Sequence, residues 1–197
     1  MAPFFLPMIR IQTGSLKGMA FPFRPGTQTR PTTNKVREAV ASIFRDDWQG
    51  AFVVDLFSGT GGYGLEALSN GSNRIIWVEK NKNFTRELEQ TLRAIDRIPK
   101  QIDLRFVTGD VLSFLENWQE GPADILTIDP PYGYIRKREL LSRLHSSAIV
   151  GANTRFILEF HHKDFYTADL LATYDLELIK MYAYGESRVA LIKRRFA

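Results

Sequence analysis

Val53-Val-Asp55-Leu-Phe-Ser-Gly59-Thr-Gly61-Gly-Tyr-Gly64 is the stretch that decides the fold. From Phe52 to Phe57 the chain is apolar except at Asp55, the pattern of a short strand buried on both faces. Glycines at 59, 61 and 64 then follow the G-x-G-x-x-G spacing. At a strand-to-helix turn such glycines let the backbone turn tightly and come close to a ligand.

Outward from this turn, strands and helices alternate. The periodicity predicts a helix at 63–70, a strand at 74–79, and a helix at 82–96 capped by Asn81, with Phe84, Leu88, Leu92 and Ile95 on one face. A strand at 103–107, a helix at 111–117 and a strand at 124–129 come next, then a helix at 136–146, a strand at 154–160 and a helix at 164–171. An antiparallel pair, 173–182 and 187–194, closes the chain. Such alternation implies right-handed crossovers and an α/β, mostly parallel, doubly wound sheet. Before the sheet, 8–23 reads as a hairpin with turn glycines at 14 and 18, and 24–31 as a basic Pro/Gly-rich loop. A helix at 33–45 follows, with Thr32 or Thr33 as its N-cap. One domain is expected, with residues 8–50 as an appendage to a core spanning 51–197.

The 197 residues carry a formal charge of +4, a balance that favours polyanionic partners. With no cysteine, the chain offers no disulfide, thiolate metal site or cysteine nucleophile. Its three histidines, 145, 161 and 162, have no metal-ligand spacing, so no metal is expected. No apolar run reaches the length of a membrane span, and the start, broken by Pro3 and Pro7, is not read as a signal peptide. A cytoplasmic protein is the simplest expectation.

Glu79 ends the second strand of the sheet, 20 residues beyond Gly59, where a carboxylate can accept hydrogen bonds from two ribose hydroxyls. This pattern also fits NAD. Asp55 argues otherwise: an acid inside the first strand has no part in gripping a pyrophosphate, but it offsets a ligand that carries an ammonium or sulfonium cation. S-adenosylmethionine carries both. Asp55 also suits a buried acid that caps the following loop, and the two roles are compatible. Phe57, Ser58, Gly59, Gly61 and, further along, Asp129 would line the same cofactor. Asp110, with Val111, closes the third strand; its carboxylate can receive an adenine amine, or can simply cap the next helix.

Asp129-Pro130-Pro131-Tyr132 stands at the tip of the fourth strand of the sheet. Two prolines end the strand in a stiff turn and expose the Pro130 carbonyl. Asp129 and that carbonyl make two acceptors for the two N–H groups of an exocyclic amine, and Tyr132 offers a stacking face. Lys17, Arg24, Arg30, Thr32, Lys35 and Arg37 precede the first strand of the sheet in a stretch whose first acid is Glu38. Together with Arg136, beside the proline turn, Lys17, Arg30, Thr32, Lys35 and Arg37 are the candidate contacts for nucleic-acid phosphates, as opposed to a merely solvated loop. His161 and His162 are given no catalytic role.

With these residues in hand, the chain resembles the RsmD family of ribosomal RNA guanine-N2 methyltransferases. The resemblance rests on Arg30-Pro-Thr-Thr-Asn-Lys-Val-Arg-Glu38, the Asp55–Gly61 loop with Gly64-Leu-Glu-Ala-Leu68, Asp129-Pro-Pro-Tyr132, Glu159 and Tyr184-Gly-Glu-Ser-Arg188. It implies a seven-stranded Rossmann-like sheet, S-adenosylmethionine as methyl donor, and a guanine of small-subunit ribosomal RNA as acceptor, within the assembled particle. We take a monomer as the expectation. Because adenine N6, cytosine N4 and guanine N2 present the same two donors, the proline turn does not choose among them. An adenine-N6 methyltransferase of DNA or RNA is the alternative enzyme, and a non-catalytic assembly factor the alternative of another class. The retained acids at 55, 79, 110 and 129 weigh against the latter.

Overall fold

The computed structural model describes residues 8–22 and 33–195. Strands β1 (Met8–Arg10) and β2 (Ala20–Pro22) pair antiparallel and lead to helix α1 (Asn34–Ile43). The helix starts at Asn34 because Thr33, not Thr32, supplies the cap: its side chain accepts from Val36 N. The alternating series follows: β3 (Phe52–Leu56), α2 (Gly62–Ser69), β4 (Arg74–Glu79), α3 (Lys82–Arg93), β5 (Asp103–Thr108), α4 (Val111–Asn117), β6 (Ala123–Ile128), α5 (Lys137–Ser146), β7 (Val150–His161), α6 (Ala168–Ala172), β8 (Leu176–Tyr184) and β9 (Ser187–Arg194).

These strands make one seven-stranded sheet in the order β5-β4-β3-β6-β7-β9-β8. Strands β3 to β7 pair parallel, and β9 runs antiparallel to both β7 and β8. As the uninterrupted apolar run predicts, every residue of β3 is buried. The order reverses between β3 and β6, and their C-terminal ends carry the two sequence motifs side by side. That is the crevice where open α/β sheets take their ligands.

Each face of the sheet buries its own core. Val54, Leu56, Ile76, Leu126, Ile128 and Leu158 meet Leu112, Leu115, Leu140, Leu144 and Leu171 of α4, α5 and α6. On the other face Val53, Ile75, Trp77, Ile125 and Ile157 meet Val36, Val40, Leu65, Leu68, Leu88 and Leu92 of α1, α2 and α3. The β1–β2 hairpin joins this second core through Ile9, Ile11 and Phe21.

Four boundaries depart from the periodicity by three residues or more. Helix α3 ends at Arg93 rather than 96, with Ala94 as its C-cap. Strand β7 begins at Val150 rather than 154, where Thr154 is buried with its hydroxyl on Ala123 O and the register with β6 shifts. Helix α6 begins only after Thr167, whose side chain accepts from Leu170 N, because the residues just before it form a loop that buries Tyr166. Asp175, at φ 55°, turns the chain so that β8 starts at Leu176.

Arg37, expected as an RNA contact, is not at the surface. Arg37 is 1% exposed and lies inside the seam between the hairpin and α2. Its Nη2 donates to Arg10 O and to Asn34 Oδ1, both at 2.8 Å, and its Nε lies 3.7 Å from Glu66 Oε1. Glu66 in turn accepts from Gln12 N at 2.8 Å and from Thr13 N and Oγ1 at 3.1 and 3.0 Å. A cation closed in this way does not reach a phosphate. Its spacing on an amphipathic helix points it inward beside Val36 and Val40, and a buried acid on the facing helix receives it. Gly14 completes the seam: at φ 76°, a Cβ there would stand 2.0 Å from Ser69 O, so the hairpin docks on α2 through bare backbone. Arg24, Arg30 and Thr32 lie outside the described residues, while Lys17 and Lys35 are exposed.

Replacing Arg37 by Met keeps the apolar stem and removes the charge, leaving Glu66 buried without its cation. Unfolding in urea should then show a loss of about 3 kcal/mol, the scale for breaking one side of a buried pair. A loss below about 1 kcal/mol would mean the seam does not depend on the pair.

Candidate active site

Phe57, the first residue past β3, holds φ at 59°, a conformation that is rare for a bulky side chain. The turn reverses there. Ser58 N donates to Val78 O at 3.0 Å and Gly61 N to Ser58 O at 2.7 Å, while the Phe57 ring stands edge-on to Tyr134 with centroids 5.2 Å apart. Glu79, at the tip of β4, accepts from Gly59 N at 2.9 Å with one carboxylate oxygen and from Asn81 N at 2.7 Å with the other. It thus spans the top of the loop where the spacing predicted it. Ser58 Oγ is buried with no hydrogen-bond partner among the described residues, a polar atom turned into the loop that a ligand can satisfy.

The third glycine serves packing. A Cβ on Gly64 would lie 2.1 Å from Trp77 Nε1. Trp77 is itself fully buried, stacked on Phe106, and donates to Gly61 O at 3.3 Å. The indole therefore occupies the space that glycine leaves between α2 and β4.

Asp55 is 2% exposed, and its two oxygens accept from Gly64 N at 2.9 Å and from Thr127 Oγ1 at 2.6 Å. The loop-capping role weighed from the sequence is therefore present in the structure. Burial pushes its carboxyl up to about 6, against the opposing pull of the Thr127 and Gly64 bonds. Asp110 is a cap as well: one oxygen accepts from Leu112 N and Ser113 N at 3.0 and 3.3 Å, and the other lies 3.6 Å from Arg136 Nη1. Val111 sends its side chain into the core.

Beyond Ile128, paired with Leu56 and Leu158, β6 gives way to Asp129-Pro-Pro-Tyr132. Asp129 is half-buried, Pro130 buried, and Tyr132 is 70% exposed. Among the described residues no N–H donates to the Pro130 carbonyl. Two acceptors at one strand tip, with an open aromatic ring beside them, can receive both N–H groups of a planar amine.

Beside Asp129 lies a pair that the sequence reading did not assign. Tyr63 Oη donates to Glu159 Oε2 at 2.7 Å, and both side chains are buried. Burial, with Glu159 and Asp129 nearby, holds the Tyr63 proton well above the ordinary phenol range. Glu159 appeared only as a residue of the family pattern and Tyr63 as a spacer between glycines. Nothing in spacing alone joins positions 63 and 159. Arg136 is exposed at the end of the proline turn, bonded to Glu139 twice at 2.9 Å and 3.6 Å from Asp110 Oδ2.

The Asp55 carboxyl yields a pH-dependent test. Its folded pKa of about 6 exceeds the unfolded value of about 3.9, so the native state holds a proton that the unfolded chain has lost. This contribution to stability is complete below about pH 4 and is gone above about pH 6. In Asp55→Asn the amide oxygen can accept from Gly64 N and the amide nitrogen can donate to Thr127 Oγ1. The difference in Tm, variant minus wild type, should therefore rise between pH 4 and pH 7 in scanning calorimetry. A constant difference would show that Asp55 does not titrate in this way.

A model of the family described as conserved hypothetical protein 95 matches residues 9–193. The chain is 28% identical over 187 residues to YlbH of Bacillus subtilis, covering 95% of this chain and 100% of that protein. It is 32% identical over 125 residues to ribosomal RNA small subunit methyltransferase D of Escherichia coli K12, covering 63% of this chain and 60% of the relative. Among solved structures, yhhF of Escherichia coli superposes with a TM-score of 0.79 at 24% identity, over 97% of this chain and 100% of that one. The glycine loop, the proline turn and a match running almost from end to end all agree: this chain belongs to the RsmD family.

Proposed function

We propose that this chain transfers a methyl group from S-adenosylmethionine to the exocyclic N2 of a guanine in small-subunit ribosomal RNA. The observation that carries the reading is the Asp129-Pro130-Pro131-Tyr132 turn, set at the strand tip next to the glycine loop in a chain of the RsmD family. The cofactor suits the residues present. Ser58 Oγ and the Gly59–Gly61 backbone would hold it, Glu79 has lone pairs for two ribose hydroxyls, Asp110 would take the adenine amine, and the buried Asp55 charge beneath the loop would complement an ammonium or sulfonium.

When bound, S-adenosylmethionine supplies an electrophilic methyl carbon. What this chain supplies is an amine able to attack it. The lone pair of an exocyclic amine is delocalised into the base, so the free amine is a weak nucleophile. Asp129 and the Pro130 carbonyl, accepting its two hydrogens, favour the pyramidal nitrogen that bonding to carbon requires. Each such group, aimed at charge that develops during reaction, is worth roughly 3–4 kcal/mol. Tyr132 holds the base plane, and orientation of the two reactants supplies a larger share. No strong base is needed, since the methylated nitrogen sheds its proton readily.

The hairpin and α1, within residues 8–50, form the appendage in this reading, with Lys17 and Lys35 at its surface for RNA phosphates; the core of 51–197 carries the chemistry. The chain acts as a monomer on RNA within the subunit. Guanine is favoured over adenine by the family, and by an appendage too small to read a DNA sequence through the major groove, which takes about 600–1,000 Å² even for a small module.

Nucleoside mass spectrometry of small subunits methylated by the purified protein should show N2-methylguanosine. N6-methyladenine as the sole product would overturn the base assignment. Asp129→Ala should lower kcat by about two to three orders of magnitude while calorimetric affinity for S-adenosylhomocysteine stays within a few-fold. Full activity in that variant would refute the mechanism.

A further inference from the structure

Three large apolar side chains stand out into solvent at one end of the cleft: Tyr132 at 70%, Ile135 at 92% and Phe165 at 70% exposure. Tyr132 and Ile135 lie on the turn after β6, and Phe165 lies in the loop between β7 and α6. Three contacts fix these two loops together. Gly133 N donates to Asp164 Oδ2 at 3.4 Å, the Tyr132 and His161 rings meet edge-on with centroids 4.7 Å apart, and Lys137 Nζ lies 5.6 Å from the Tyr166 ring centre. Tyr166 is buried against Phe160, so its neighbour Phe165 is turned outward by the same backbone. An isoleucine and a phenylalanine held in water beside a reaction site call for a partner. The two segments, 132–139 and 161–166, also carry Arg136, Lys137, Arg138 and Lys163 against Glu139 and Asp164, an excess of positive charge.

A polymer that brings a base to Asp129 can lie along this rim. We propose that Phe165 and Ile135 form a platform for the unpaired RNA nucleotides flanking the target base. Phe165 stacks on a neighbouring base, Ile135 packs against a base or ribose, and the cations around them take the adjoining phosphates. Stacking on one aromatic is tolerant of sequence and strong enough to hold a splayed strand. The rim therefore secures the strand while Tyr132 and Asp129 take the target itself. The inference rests on the RNA-methylating reading above and adds to it a second contact surface, on the side of the cleft formed by the β6 and β7 loops.

The test is steady-state methyl transfer to small ribosomal subunits, together with binding of a labelled, unstructured RNA oligonucleotide. Phe165→Ala should raise KM for the subunit by about tenfold and weaken oligonucleotide binding to a similar degree, with kcat within about twofold of wild type. Phe165→Tyr should restore both and Phe165→Leu neither, since a base needs a ring face and not mere bulk. Ile135→Ser should raise KM by about threefold. Equal affinity of every variant for S-adenosylhomocysteine verifies that each is folded. An unchanged KM in Phe165→Ala overturns the platform. So does full rescue by leucine, or a defect seen on subunits but absent for naked RNA, either of which assigns the rim to a ribosomal protein. If wild-type protein methylates no RNA at all, the proposed function falls; if it methylates RNA and Phe165→Ala does so equally well, the platform alone falls.

Discussion

The site depends on one buried carboxylate. Asp55 reaches from β3 to Gly64 on α2 and to Thr127 on β6, two residues before Asp129. The glycine loop and the proline turn belong to strands 72 residues apart in register, and this acid bonds to both neighbourhoods. Its burial carries a cost, visible in the raised pKa, and the two short donors reduce that cost without cancelling it. A hydrophobic residue would pack there more favourably. It would leave the Gly64 amide and the Thr127 hydroxyl buried without an acceptor, and would remove a negative charge from beneath the loop.

Buried charge recurs along the same face of the sheet. Glu66 gathers the Gln12 and Thr13 amides and faces Arg37; Glu159 receives the Tyr63 hydroxyl. Apolar contacts between the hairpin and α2 would allow the two to slide, whereas directional bonds to backbone amides allow one arrangement. Gly14, pressed against Ser69 O, has the same effect. The appendage is thereby held at a set position relative to the strand tips.

Much of this was legible in the amino-acid order, and the failures share a cause. The β3 run, the three glycines, Glu79 and the Asp-Pro-Pro-Tyr turn each express a local constraint: burial on both faces, positive φ, close packing, a strand that cannot continue. Such constraints act within a few residues and leave a pattern there. Arg37 is not legible as a buried residue because its acid lies on another helix, and a cation among other cations reads as surface. Tyr63 and Glu159 meet only after β7 has been laid beside β6. The start of β7 and the late start of α6 depend on Thr154 and Tyr166, both buried by tertiary packing that outweighs local periodicity.

Placement of charge also separates the two ends of the cleft. On the side of the glycine loop, every acid named above is tied to backbone amides: Asp55 to Gly64, Glu79 to Gly59 and Asn81, Asp110 to Leu112 and Ser113. Those carboxylates are rigid before any ligand arrives, so little order is lost when a small molecule binds. On the side of the proline turn the pattern inverts: the rings of Tyr132 and Phe165 stand in solvent, and basic residues surround them. A rigid acidic cradle suits a compact cationic cofactor with two ribose hydroxyls, whereas an open aromatic and basic rim suits a polyanion whose bases must be turned out of a strand. The boundary between them falls at Asp129, one residue beyond the Leu56–Ile128 pair that joins β3 to β6. That pairing brings the two chemistries within reach of a single methyl transfer.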